Sequence, residues 1–344
     1  MLGMDDIGID LGTATVLICM RGKGIVLREP AAVAMDRQTR NILAVGEDAQ
    51  RMMGRTPANI SVIRPLADGV ISDYDVTERM LRYFLRKVMG RRMMFRPRVV
   101  ACVPSGVTEV EKRSMIDTIL DAGAGKAQLV EEVVAAAIGA GLEITKAYGN
   151  MILDIGGGTS ALAVLAMGRS AVSSHIKIAG DRFDESIIRY LRRKHNLMVG
   201  PRSAEELKIQ IGAACPRDDP LYMDVTGRSL ITGLPKTINV NSEEMVEALD
   251  EPILALSENI QALLERTPPE LAADIFERGI TMTGGGSLLY GLDEVLSEQV
   301  RVYCRLVEDP VACVALGTSR ILEDREAWTS LLFDVEDDGS MTRR

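Results

Sequence analysis

Apolar positions along this chain follow two periods, and the order of those periods occurs twice. Short apolar runs at 7–10, 16–20, 25–27 and 32–35, bounded by turn residues such as Arg21-Gly22-Lys23-Gly24, predict consecutive strands. Val76, Met80, Leu81, Phe84, Leu85 and Val88 then fall at helical spacing over 74–89, and Gly90 stops the pattern. Residues 99–103 are apolar throughout and closed by Pro104, as in a buried strand. Thr108 and Glu111 form a capping box that opens a helix to about 120, ended by Asp121-Ala122-Gly123-Ala124-Gly125. The second half repeats this grammar, with strands over 151–178, helices near 181–194 and 203–214, and a strand-rich stretch at 221–240. Ser242 opens a long helix to 264, and Pro268-Pro269 start another that Gly279 closes.

The repeat has a chemical core. Asp10-Leu11-Gly12-Thr13-Ala14-Thr15 and Asp154-Ile155-Gly156-Gly157-Gly158-Thr159-Ser160 each follow an apolar run, so each sets a carboxylate at a strand end and a tight glycine turn directly after it. Glycines let backbone N–H groups approach phosphate oxygens, threonines add donors, and an Asp at such a place holds Mg²⁺ through water. One such turn is an ordinary Asx-type hairpin; two facing each other clamp a nucleotide's phosphates from both sides. Thr283-Gly284-Gly285-Gly286-Ser287 is a third strand running into a glycine turn, which points to one composite site. Gly123-Ala124-Gly125-Lys126 mimics the end of a P-loop, but Leu120 stands where its first glycine belongs and Ala127 where its Ser or Thr belongs.

Composition narrows the class. A chain of 344 residues that is 47% hydrophobic has material for at least two packed domains, and a net charge of −9 argues against nucleic acid as a partner. The five cysteines stand singly, without a Cys-x-x-Cys pair, as reduced core residues do in a cytoplasmic protein. His175 and His195 are too few for a transition-metal site, so hard-cation chemistry through Asp is the metal chemistry left open. The acidic start at 1–6 runs straight into a strand and predicts no signal peptide. The longest apolar run, near 133–142, is Ala/Gly-rich and reads as a packed helix rather than a membrane span.

With these residues in view, the chain resembles the actin, heat-shock chaperone and hexokinase-type ATPases, and among them the MreB family of bacterial actin homologues. The resemblance runs through Ile7 to Ala14, Gly22 to Leu27, Glu29-Pro30, Pro65 to Gly69, Pro97 to Val100, Val103 to Gly106, Ala135 to Gly139, Asp154 to Thr159, Ile178 to Asp181, Thr267 to Leu271 and Thr283 to Leu288. It implies an α/β fold of duplicated actin-like (ribonuclease H-like) ATPase domains, each with a smaller subdomain, around a nucleotide cleft. The implied division is 1–145 with an inserted subdomain at 31–73, then 146–312 with an insert at 181–240. A C-terminal helix at 313–333 returns to the first half, and 334–344 form a flexible tail.

By position, the resemblance implies ATP and Mg²⁺ as cofactors. Asp10 and Asp154 flank the metal; Gly12, Thr13, Ala14 and Thr15 with Gly156, Gly157, Gly158 and Thr159 cradle the phosphates. Gly284, Gly285, Gly286 and Ser287 lie near adenine and the α-phosphate, and Glu205 and Lys208 near the adenosine. Taken alone, Glu205 and Lys208 are an i, i+3 pair on a solvated helix face. Glu132 matches the residue that positions the attacking water, although Glu131 and Glu132 alike suit a helix N-terminus. Thr15, Val16, Val133, Ser160 and Ala161 depart from the family's pattern; Val16 and Ala161 lack polar groups expected near the phosphates, which implies a slow or altered ATPase.

Arg82, Arg86, Lys87, Arg91, Arg92, Arg96 and Arg98 cluster with no acidic residue among them, around Met93-Met94-Phe95. On residues alone, either Phe95 packs inward beside a solvated helix end, or an apolar tip with a basic rim meets an anionic bilayer. The resemblance implies the second, with Met94 and Phe95 inserting and Arg91, Arg92 and Arg96 beside them. It further implies a homopolymer of double filaments at the inner face of the cell membrane, cell-wall elongation proteins as partners, and a role in rod shape. A monomeric heat-shock chaperone-type ATPase or a sugar kinase of the same superfamily is the alternative.

Overall fold

The computed structural model describes residues 6–67, 69–90, 96–335 and 341–343. Two sheets of the same design organise them. In the first, strands β1 (Asp6–Leu11), β2 (Thr15–Met20) and β3 (Gly24–Pro30) form an antiparallel meander, and β4 (Arg98–Val103) and β5 (Lys126–Glu131) run parallel to β1. In the second, β6 (Asn150–Ile155), β7 (Ser160–Ala166) and β8 (Arg169–Ile176) repeat the meander, with β9 (Ile280–Thr283) and β10 (Cys304–Leu306) parallel to β6. The orders are β5-β4-β1-β2-β3 and β8-β7-β6-β9-β10, so the duplication read from the glycine turns is one of whole sheets.

Alternating side chains explain why these runs pair. Ile7, Ile9 and Leu11 face one core with Val99 and Leu129, while Gly8 turns to the opposite layer, where a side chain would meet Cys19 and Thr318. Buried β7 is apolar at almost every position, as expected for a strand covered on both faces. Local signals set the helix ends: Asp73 accepts from the Val76 N–H ahead of helix Tyr74–Met89, and both halves of the Thr108/Glu111 box are formed. Asn241, not Ser242, caps the long helix Ser242–Glu265; the Ser242 hydroxyl instead accepts from the Leu221 N–H at 3.1 Å.

A smaller sheet of Val33–Asp36, Ile42–Val45 and Ile60–Ile63 is inserted in the first half, with its own small core of Ala32, Ala34 and Ala49. The insert of the second half carries helices Gly180–His195 and Pro201–Ile211 and the strands Tyr222–Ser229 and Pro235–Asn241; Leu207, Val225 and Val240 join the same core as Leu153 and Met282. Part of the expected tail departs from the expectation: Phe333–Val335 and Met341–Arg343 pair as strands, and the first of them adds to the edge of β5. Buried Phe333, with the Lys112 ammonium over its ring, supplies the anchor that the acidic composition of the tail hides. Among the described residues no helix is long and apolar enough to cross a membrane.

The halves are joined by helices Glu132–Gly139 and Cys313–Glu323, which follow the last core strand of each half and cross between the two sheets. A third hydrophobic cluster, including Val100, Val134, Ile152, Leu165 and Ile321, forms around them. At the crossing, a Cβ on Gly139 would collide with the Cys313 carbonyl and one on Gly317 with the Ala135 carbonyl, so backbone packs on backbone. Gly317→Ala is therefore expected to cost about 3 kcal/mol through overpacking. Gly200→Ala, where a Cβ meets nothing within 4 Å, should change little. Equal melting temperatures for the two variants would contradict the backbone contact.

Candidate functional site

Each glycine turn is a tight connection between antiparallel strands, closed by the same hydrogen bond. Gly12 N–H donates to the Thr15 carbonyl at 3.1 Å, and Gly156 N–H to the Thr159 carbonyl at 2.9 Å. The two turns touch: a side chain on Gly157 would strike Ala14, and a Cβ on Gly158 would stand 2.9 Å from Thr13 Cγ2. Glycine at both positions is what lets the halves close to this distance. The third turn leaves β9 through Gly284 at φ +83, a left-handed conformation that favours glycine, and a Cβ there would meet the Asp154 carboxylate and the Ile155 carbonyl.

Together these turns bound a cavity of about 370 Å³. Its lining includes Asp10, Gly12, Thr13, Ala14, Thr15, Glu132, Asp154, Gly156, Gly157, Gly158, Thr159, Glu205, Lys208, Gly284, Gly285 and Gly286, so residues far apart in sequence meet in one place. Ser287 is the exception: it is buried and its hydroxyl donates to the Gly284 carbonyl at 2.6 Å, holding the turn from behind. Glu131 also stays outside the lining and accepts from the Ser105 hydroxyl at 3.2 Å, so the adjacent glutamates are separated by the start of the helix. Arg96 is exposed, whereas Arg91, Arg92, Met94 and Phe95 lie outside the described residues.

The expected loss of polar groups at Val16 and Ala161 does not reach the cavity. Val16, Val133 and Ala161 are all buried in hydrophobic clusters: Val133 lies on the crossing helix Glu132–Gly139, and on the strands neighbouring positions face opposite ways, so Thr15 lines the cavity while Val16 points into the core. Ser160 likewise turns inward and donates to the Ile178 carbonyl at 2.5 Å.

Electrostatically the cavity is an unbalanced acid cluster. Burial, then the charge of Glu132, pushes the Asp10 carboxyl up to about 8. Burial pushes Glu132 up to about 7, and burial with the charges of Glu132 and Asp10 raises Asp154 well above the usual carboxylate range. Asp10 and Glu132 each keep a partly exposed edge, and that edge faces the cavity while protein encloses the rest. Lys208 is the one cation among the described lining residues, and it is engaged by Asp184 at 2.9 Å. Among the described residues, no three such side chains converge tightly enough to wrap a metal directly.

Several contributors carried no sequence signal of their own. Arg64, from the insert of the first half, donates across the cleft to both carboxylate oxygens of Asp181, at 2.8 and 3.0 Å. Gly69 N–H donates to the Thr13 hydroxyl at 3.3 Å, and Ile209, Leu288 and Val311 give the cavity an apolar end. Leu288 and Gly69 lie within stretches that matched the family, whereas Arg64, Ile209 and Val311 are ordinary loop or helix-face residues in their local sequence and are identified by their contacts.

The model of the family described as MreB/Mbl protein matches residues 4–330. The cell shape-determining protein Mbl of Bacillus subtilis (strain 168) is 48% identical over 321 residues, covering 93% of this chain and 96% of that protein. The cell shape-determining protein MreB of Escherichia coli (strain K12) is 47% identical over 338 residues, covering 96% and 97%. Among solved structures, MreB5 of Spiroplasma citri bound to ADP superposes with a TM-score of 0.90 at 35% identity, covering 94% of this chain and 97% of that one. The MamK double helical filament has a TM-score of 0.78 at 21% identity over 94% of this chain and 99% of that one, a likeness of fold.

The acid cluster sets a pH dependence. A raised carboxyl keeps its proton in the folded state after the unfolded chain has released it, so the folded state binds more protons from about pH 4 up to about 8. The stability of the nucleotide-free protein is thus expected to fall across that window. Asp10→Asn should flatten the slope and raise the melting temperature at pH 8 by about 3 °C. Calorimetric scans from pH 5 to pH 8 check this, and parallel profiles for the two proteins would contradict it.

Proposed function

The chain belongs to the MreB/Mbl family, and from that premise we propose that it is a cell shape-determining, actin-like ATPase whose ATP-dependent filaments organise cell-wall synthesis at the inner face of the cell membrane. The observation that carries the reading is the meeting of two glycine turns, Ala14 against Gly157, over three carboxylates in one cavity. Relatives at this identity are cell shape-determining proteins along nearly their full length, which does not favour the chaperone or sugar-kinase alternative.

Residue roles in this reading follow from placement. The N–H groups and hydroxyls of 12–15 and 156–159 receive phosphate oxygens from two sides, as glycine-rich turns do elsewhere. The apolar end at Ile209, Leu288 and Val311 suits a base, with Gly284 to Gly286 closing beneath it. Glu132, at the first turn of the crossing helix, orients a water toward the terminal phosphate. Phosphoryl transfer asks a protein chiefly for position and charge neutralisation; the crossing of the helices sets the position of Glu132, and neutralisation falls to the cation.

Three buried acidic side chains whose proton affinity is raised, with oxygen donors only, fit a hard divalent cation. Asp10 and Asp154 would hold Mg²⁺ through water, in keeping with their lack of a tight common ligand set. The ion supplies neutralisation of the triphosphate and relieves the repulsion among the carboxylates.

For the membrane, the resemblance supplies Met94 and Phe95 as the inserting pair and Arg91, Arg92 and Arg96 as the basic rim. An apolar insertion and an electrostatic attraction are separate weak anchors, and a filament multiplies both.

Two measurements test this reading. Glu132→Ala should bind Mg-ATP and still pellet as polymer, while releasing phosphate about 100-fold more slowly; Glu131→Ala should release it at the normal rate. Sensitivity of Glu131 alone would place the catalytic carboxylate one residue earlier. Replacing Met94 and Phe95 together by Ser should leave polymerisation intact and reduce co-sedimentation with phosphatidylglycerol liposomes at every salt concentration, whereas salt should weaken the native protein by screening. Undiminished liposome binding by a polymerising double variant would assign Phe95 to the core.

A further inference from the structure

The cleft is held in different ways at its floor and at its mouth. At the floor the crossing helices pack backbone on backbone, and that contact does not open without unpacking the core shared by both halves. At the mouth the first insert meets the second through Arg64 and Asp181, and among the described residues no other ion pair joins the two inserts. Arg64 Nη1 donates to both carboxylate oxygens of Asp181, at 2.8 and 3.0 Å, and the two side chains are 23% and 42% exposed.

Both ends of this pair are tied to the walls of the cavity, although neither residue lines it. Arg64 follows strand Ile60–Ile63 and precedes Pro65, whose carbonyl accepts from the Ser72 N–H at 3.0 Å and from the Ser72 hydroxyl at 2.9 Å. Within the loop closed in this way, Gly69 lines the cavity. Asp181 is the second residue of helix Gly180–His195, and its N–H donates to the Gly157 carbonyl at 2.7 Å. A pull on the Asp181 side chain is therefore a pull on the second glycine turn, which itself rests on Ala14 of the first.

We infer that Arg64 and Asp181 are positioning residues that clasp the cleft at its mouth and set the rate at which a bound nucleotide leaves. The inference rests on the nucleotide reading above. A guest held between turns from both halves leaves only when the halves part, and with the floor fixed by packing it is the mouth that gives. Parting the mouth breaks the contact of Arg64 with Asp181 before the guest is free, so the contact adds to the barrier of release.

Release of Mg-bound N-methylanthraniloyl-ADP into excess ADP, followed by stopped-flow fluorescence on protein that stays in the supernatant on sedimentation, tests this. Arg64→Met and Asp181→Asn should each release the probe about tenfold faster than the native protein. The double variant should release it no faster than either single variant, because the two substitutions remove one shared contact. Independent actions would instead multiply to about 100-fold, which would overturn the inference. Fast release from Asp181→Asn alone would overturn it too, since Asp181 would then act through the N-terminal charge of its helix and not through a clasp. Native-rate release from both single variants would do the same. Should Asp181→Asn fail to fold by circular dichroism, Arg64→Met carries the test, and native-rate release from that folded variant is decisive against the clasp. Failure of the native protein to bind the probe would overturn the nucleotide reading, and the clasp with it.

Discussion

Two helices cross in the middle of this molecule so closely that glycine is required at the point of contact, and the rest of the architecture hangs on that contact. Gly139 and Gly317 let helices Glu132–Gly139 and Cys313–Glu323 approach until backbone meets backbone. Each helix follows the last core strand of its own half and packs into a cluster shared by both, so neither half completes its core alone. The same crossing fixes the first residue of one helix, Glu132, at the floor of the cleft. Closeness at the crossing is thereby converted into position at the site.

That position is electrostatically costly. Asp10, Glu132 and Asp154 face a common space, and each carboxyl is raised chiefly by burial, with neighbouring negative charge adding to it for Asp10 and Asp154. Clusters of this kind persist where function needs them and the surrounding fold can bear the penalty. Here the bearing comes from sheets whose central strands are buried on both faces and from glycine turns that lock at matched hydrogen bonds. A phosphate-bearing ligand with its cation turns the penalty into affinity, because the acids and the turns address opposite charges in one guest.

Outside the floor of the cleft, closure depends on side chains from the inserted subdomains. Arg64 spans from the first insert to Asp181 at the start of helix Gly180–His195, and one turn further along that helix Asp184 takes Lys208. Ionic contacts that are part-buried, as these are, hold more than exposed pairs and yield more readily than a packed core. The two inserts are therefore joined across the cleft by Arg64 and Asp181, a contact that responds to charge, Asp184 and Lys208 tie together two helices of the second insert, and the two sheets are joined by packing.

How much of this was legible before folding follows from the range over which each signal acts. Strands, helices and several of their ends were readable because alternation, helical spacing and capping residues are local; Thr108 and Gly90 act within a few positions of where they stand. Duplication was readable too, since Asp10 to Thr15 and Asp154 to Thr159 print the same geometry twice. The resemblance extended that reading to the family and to most of the cavity lining. Tertiary structure alone decided what depends on facing: that Val16 and Ala161 turn to the core while Thr15 faces the cleft, and that Ser287 braces its turn from behind. It also decided the partners of Arg64 and Lys208, because a charge on one helix carries no mark of which distant carboxylate will reach it. Sequence sets the local shapes and the chemistry on offer, and long-range packing chooses which of those groups meet.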